Sequence, residues 1–127
     1  MAWDFTPGLP CVLTHETAQA GIELTYDPTK PLYSVTIRTD QPLSDSGVFA
    51  MRFDGPASLT ISTTRHVLSG DGRAVTVVDT GFGNVLNGLQ LNTTATALIG
   101  DSAFSFPLTG AEEPVAAFRL CQPKPGV

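Results

Sequence analysis

From Ile22 to Val77 apolar and polar residues alternate with a period of two, run after run. Ile22, Leu24 and Tyr26 enclose Glu23 and Thr25, while Tyr33, Val35 and Ile37 alternate with Ser34, Thr36 and Arg38. Phe49, Met51 and Phe53 alternate with Ala50, Arg52 and Asp54; Leu59 and Ile61 alternate with Thr60, Ser62 and Thr64; Val75 and Val77 enclose Thr76. Successive side chains of a strand point to opposite faces, so each run describes a strand with one buried and one solvated face. That is the pattern of antiparallel sheets. Cys11 to Glu16 reads as an earlier strand, with Cys11 and Leu13 inward.

The separators carry turn chemistry. Asp27-Pro28-Thr29-Lys30-Pro31, Asp54-Gly55-Pro56 and Ser69-Gly70-Asp71-Gly72 each stand between strand-like runs, where Asp and Gly readily take positive φ. No helix-length gap precedes Gly81, which predicts a meander and excludes an alternating βαβ architecture. Beyond Gly81 the period changes. Val85, Leu86 and Leu89 suit a short helix near 84–90 that Asn84 could cap, although Gly88 inside it costs about 1 kcal/mol against alanine. Thr94–Ile99 and Ala103–Pro107 read as two more strands around Gly100-Asp101. A C-terminal helix is expected near 111–121, capped by Thr109 or Gly110. Glu112 and Glu113 suit its dipole, Pro114 is tolerated so near a start, and Pro123 and Pro125 stop it. Val115, Phe118 and Cys121 make its apolar stripe. The fold class that follows is mainly β, an antiparallel β-sandwich or open β-barrel with two short helices, in a single domain over 1–127.

The two cysteines sit near opposite ends, in neither a C-x-x-C nor a His-rich ligand cluster, so zinc and thioredoxin-like readings fail on spacing. A Cys11–Cys121 disulfide would stabilise by about 4–5 kcal/mol in the chain-entropy description; the alternative is two separate buried thiols. A disulfide implies an oxidising compartment, periplasmic or secreted. No charged segment followed by an apolar one opens the chain, so an exported protein whose signal peptide has been removed is expected, with Met1 before Ala2-Trp3 a start codon put in its place.

Charged residues are 15% of the chain, against roughly 25% in a typical soluble domain, and Thr, Ser, Gly and Pro fill the difference. The net charge is −5 and the 7 Lys and Arg are scattered singly, so nothing forms the basic stripe that nucleic acid needs. Anionic membrane surfaces are disfavoured for the same reason, and no apolar run approaches the length of a membrane span.

Several residues carry chemistry. Val77-Val78-Asp79-Thr80-Gly81 resembles the catalytic loop of aspartic proteases, and Leu98-Ile99-Gly100 resembles their second turn. Phe82 departs from the small residue expected after the glycine, and the chain between the motifs is too short for a flap. A strand ending in a turn explains the motif as well. His15, Arg65 and His66 could act as acids, bases or ligands, yet none has a partner at a recognisable spacing, and Ser69 and Asp71 near His66 lie inside a turn. Two separated histidines make no metal pattern. Gly81-Phe82-Gly83-Asn84 before a helix could hold an anion on backbone N–H groups, or could simply be a tight strand-to-helix turn. Asn92-Thr93-Thr94 fits the glycosylation acceptor pattern. Trp3 and Phe82, if exposed together, would form a binding patch; packing of the N-terminal arm under the disulfide is the competing role.

Trp3-Asp4-Phe5-Thr6-Pro7-Gly8-Leu9-Pro10-Cys11, Ser62-Thr63-Thr64-Arg65-His66-Val67-Leu68-Ser69 and Gly81-Phe82-Gly83-Asn84-Val85-Leu86-Asn87-Gly88-Leu89 belong together with Pro107-Leu108-Thr109-Gly110-Ala111 and Val115-Ala116-Ala117-Phe118-Arg119 before Cys121. In these segments the chain resembles, over nearly its whole length, a small family of exported alphaproteobacterial proteins of unknown function, some of which carry a DNA-repair excinuclease label. An excinuclease subunit needs a P-loop and a far longer chain, so the label is set aside. The last third, L-x-G then helix then Cys, is similar to the periplasmic invasion-associated locus B proteins. The resemblance implies export and a β-plus-helix fold, and brings no catalytic residues.

The leading expectation is a non-enzymatic binding or interaction module without cofactor or metal, whose partner is a protein or small ligand held by Arg65, His66, Asp79, Phe82 and Asn84. A small hydrolase using Asp79 or His66 is one alternative, and a structural accessory subunit of an envelope complex is another.

Overall fold

A computed structural model describes residues 2–44 and 47–121; Met1, Pro123 and Pro125 lie outside the described residues. The strands are β1 (Asp4–Thr6), β2 (Cys11–Glu16), β3 (Ala20–Asp27), β4 (Leu32–Thr39), β5 (Phe49–Asp54), β6 (Leu59–Thr63), β7 (Val67–Leu68), β8 (Ala74–Asp79), β9 (Thr94–Ile99) and β10 (Ser102–Pro107). The helices are α1 (Gly83–Leu91) and α2 (Glu112–Arg119). They form two separate antiparallel sheets, ordered β1-β2-β3-β4-β8-β7 and β10-β9-β5-β6, in a sandwich-like arrangement rather than a closed barrel.

The expected meander holds only for β1 to β4. The chain then crosses to the second sheet for β5 and β6, returns so that β8 pairs with β4, and crosses again so that β9 pairs with β5. Alternation reports which side chains a strand buries and says nothing about which sheet it joins. Leu13, Ile22, Leu24, Val35, Ile37 and Val75 from the first sheet meet Phe49, Met51, Phe53, Ala97, Ile99 and Phe106 from the second in one core. Between strands, hydroxyls pair across the ladder: Thr25 with Ser34, Thr36 with Thr76 at 3.0 Å, and Thr96 with Ser105 at 3.0 Å. Such opposed pairs add a few tenths to about 1 kcal/mol each, which is how a chain poor in charge decorates its strands.

α1 fills the space beside β5. Val85, Leu86, Gly88 and Leu89 are buried, and a Cβ on Gly88 would come within 2.5 Å of the Phe53 ring. The interior glycine is therefore a contact with the sheet, worth its helical cost. The helix begins at Gly83 and Phe82 is its cap residue; Asn84 lies inside the first turn, so its expected capping role does not hold. The reason is that the Phe82 carbonyl already accepts the Leu86 N–H at 2.8 Å, with the Phe82 ring packed on Tyr33.

α2 starts after Ala111 rather than Thr109 or Gly110, because Gly110 (φ +77°) is still inside a turn closed by the Ala111 N–H on the Leu108 carbonyl at 3.0 Å. Val115 and Phe118 are buried, and the helix packs against β1, β2 and α1. Cys11 and Cys121 are disulfide-bonded with Cα atoms 6.5 Å apart, so the end of α2 is tied to the start of β2 as expected. β1, which the sequence did not announce, pairs with β2 and sets the Phe5 ring edge-on to Phe118 at 6.4 Å.

Candidate functional site

Four stretches of chain converge on one cleft between the sheets. β5 and β6 form one wall, β4 and the end of β8 form the other, and the start of α1 closes one end. The cleft has a volume of about 470 Å³. Its floor is apolar: Val35, Phe49, Met51 and Val85 are buried core residues, and Ile61 and Val77 are half-buried above them. Ser62, Thr63, Arg65, Asp79 and Asn84 supply the polar side chains of its lining.

Arg65, Asp79, Phe82 and Asn84 therefore all line the same cleft, whereas His66 does not. The His66 ring packs on Phe49 at 6.2 Å, on a side chain that itself lines the cleft. Arg65 is exposed, at a corner shaped by its own N–H donating to the Thr63 hydroxyl at 3.1 Å. Asp79 ends β8, and its Oδ1 accepts the Thr80 N–H at 2.7 Å. Among the described residues Asp79 is the one carboxylate in the lining, and Leu98-Ile99-Gly100, the end of β9 and the first residue of the turn to β10, is not part of it. A shared-proton carboxylate pair is thus not assembled among the described residues.

Gly81 and Gly83 line the mouth. Neither has positive φ, and a Cβ on either would meet nothing within 4 Å. The strand-to-helix turn does not demand glycine at these positions; what the two glycines leave is open space. The first helical bond is Leu86 N–H to Phe82, so the N–H groups of Gly83, Asn84 and Val85 have no partner within the helix.

Phe82 is buried rather than part of an exposed aromatic patch with Trp3. Trp3 stacks on His15 at 4.7 Å and donates its indole N–H to the Pro107 carbonyl at 2.8 Å. Phe82 instead stacks on Tyr33, which also stacks on Tyr26 at 4.2 Å. Burial, and then the Tyr26 phenol, raise the Tyr33 pKa above its ordinary value, with Arg119 opposing. Tyr33 was legible as an inward residue, but its place behind Phe82 is a long-range contact that no local spacing reports.

The other candidates resolve into structure. Asp71 accepts the Ser69 hydroxyl at 2.6 Å and the Arg73 N–H at 3.0 Å, and these bonds, the hydroxyl first, hold its carboxyl below the ordinary range. Asn92 is buried; its side chain accepts from Ala57 N–H at 2.9 Å and donates to the carbonyls of Ala57 and Gly88 at 3.0 and 3.1 Å, so the folded chain does not present it for glycosylation. Among the described residues no three His, Cys, Asp or Glu side chains gather as a metal site. A second hollow of about 610 Å³ lies along the disulfide, lined by Phe5, Pro7, Leu9 and Leu120 among others. It is larger than the cleft, but among the described residues its lining carries no charged side chain.

No helix among the described residues is long and apolar enough to cross a membrane. Compared with known proteins, the chain matches no family model, no curated protein and no solved structure.

Proposed function

We propose that this chain is an exported, periplasmic or secreted binding module without catalytic chemistry, and that it takes a small, largely apolar ligand into the cleft between its sheets. One observation carries the reading: an apolar floor open at the mouth is flanked by Arg65 from one stretch of chain and by Asp79, Phe82 and Asn84 from another. Its volume of about 470 Å³ lies inside the range of roughly 300–1,000 Å³ common to small-molecule sites. The vacant space beside Gly81 and Gly83 supports the same reading. The disulfide supports export, since such bonds persist in oxidising compartments, and the resemblance to exported alphaproteobacterial proteins points the same way. A hydrolase reading draws less support, because His66 stands outside the lining and Asp79 spends one oxygen on Thr80.

Titration with the neutral apolar dye Nile red tests this. Saturable fluorescence enhancement is expected from the native protein, and its loss from Ile61→Trp, which fills the cleft, with the melting temperature little changed. Undiminished dye binding by a folded Ile61→Trp protein would send the dye elsewhere and defeat the reading.

A further inference from the structure

We propose that the ligand of this cleft is a zwitterion, one ammonium and one carboxylate on an apolar body, the chemistry shared by an apolar amino acid and a short apolar peptide. The proposal rests on the binding reading above and adds to it the charge of the ligand.

Arg65 and Asp79 line the same cleft, yet neither forms an ion pair among the described residues, where the pairs are Lys30–Asp27 and Arg52–Asp54. Their place on the same cleft follows from the fold. β7 pairs antiparallel with β8, Val67 opposite Thr76, so the chain entering β7 lies near the end of β8, where Asp79 stands. Thr80 engages Oδ1 of Asp79, and Oδ2 has no hydrogen-bond partner among the described residues.

A ligand whose apolar body reaches Met51 and Val85 also covers the mouth and strips water from both charges. An uncharged ligand strips that water and hydrogen-bonds neither group in its place, which is costly. A simple anion meets Arg65 but is repelled by Asp79, and a simple cation meets Asp79 but is repelled by Arg65. A zwitterion satisfies both: its ammonium donates to the Asp79 carboxylate, and its carboxylate accepts from the Arg65 guanidinium.

Displacement of Nile red tests the charge requirement on the native protein. The competitors are L-tryptophan, L-leucyl-L-leucine, tryptamine, N-acetyl-L-tryptophan and N-acetyl-L-tryptophanamide. At least one of the two zwitterions is expected to displace the dye at a concentration about tenfold lower than each of the other three. Which zwitterion does so distinguishes the amino acid from the peptide. Asp79→Asn should remove the advantage over N-acetyl-L-tryptophan, and Arg65→Gln the advantage over tryptamine. Equal displacement by all five, displacement by none, or an advantage that survives both substitutions overturns the zwitterion while leaving the apolar cleft standing. Dye binding that Ile61→Trp does not reduce removes the cleft itself, and the zwitterion with it.

Discussion

The ring of Tyr33 lies on the ring of Phe82, their centroids 5.4 Å apart and their planes 25° from parallel. The same Tyr33 ring meets Phe118 of α2 at 6.2 Å. One side chain of β4 thus supports the cap of α1 on one side and the disulfide-tied helix on the other. Tyr33→Leu should cost about 2 kcal/mol, less than full removal of a buried aromatic because Tyr33 is half-buried. Thermal melting reads the loss. Weaker Nile red binding should accompany it, since Phe82 lines the cleft.

The glycines of α1 should answer substitution in opposite ways. Gly88→Ala places a methyl against the Phe53 ring, within 2.5 Å unless something shifts. Overpacking of that kind costs about 1–3 kcal/mol, against a helical gain of about 1 kcal/mol, so a net loss is expected. Gly83→Ala meets nothing and should leave stability unchanged or slightly higher. Paired denaturant curves decide the contrast; equal effects would mean that Gly88 does not touch the sheet.

Replacing Cys11 and Cys121 together by serine removes a link across 110 positions of sequence. The expected loss is about 4–5 kcal/mol in the chain-entropy description. Amide exchange should show α2 and β1 losing protection before the second sheet does, because α2 packs against β1, β2 and α1. Uniform loss over both sheets would contradict this order.

Asp71 sets a pH dependence whose sign follows from its bonds. Its folded pKa is lowered by the Ser69 hydroxyl and then the Arg73 N–H. A lowered carboxyl contributes stability above its unfolded pKa, near 3.8, and loses it as pH falls through the lower folded value. Asp71→Asn should therefore flatten the acid limb of the melting temperature below about pH 4, with little effect at neutral pH beyond the loss of the charged bonds. Asp27, lowered by the Thr29 hydroxyl and N–H, contributes in the same direction, so the limb should shrink without vanishing.

Much of the fold was legible because its signals are local. Alternation around Leu24, Val35, Met51 and Val75 marked strands within a residue or two of their ends, and the Asp and Gly clusters marked the turns. Val115 and Phe118 made the apolar face of α2 as expected, whereas Cys121 lies past the end of the helix, its N–H donating to the Phe118 carbonyl at 3.1 Å. Sheet membership was not legible, since Phe49 and Val35 obey the same period on opposite sheets. Both expected helix caps failed because tertiary packing of Phe82 and the turn before Ala111 settled the starts. Of the candidate site, Arg65, Asp79, Phe82 and Asn84 converge, while His66 packs on Phe49 outside the lining. Ser62 was read only as a solvated member of a strand and Thr63 was given no face, although both line the cleft.

The bond between Cys11 and Cys121 also makes most of the chain a closed covalent ring. A protease that cuts once anywhere inside that ring opens it without dividing the molecule. The nicked protein keeps its mass on a non-reducing gel, and both sheets keep their strands within reach of one another. Separation takes a second cut or a reductant, so one cut at any exposed turn between Cys11 and Cys121 leaves the molecule in one piece.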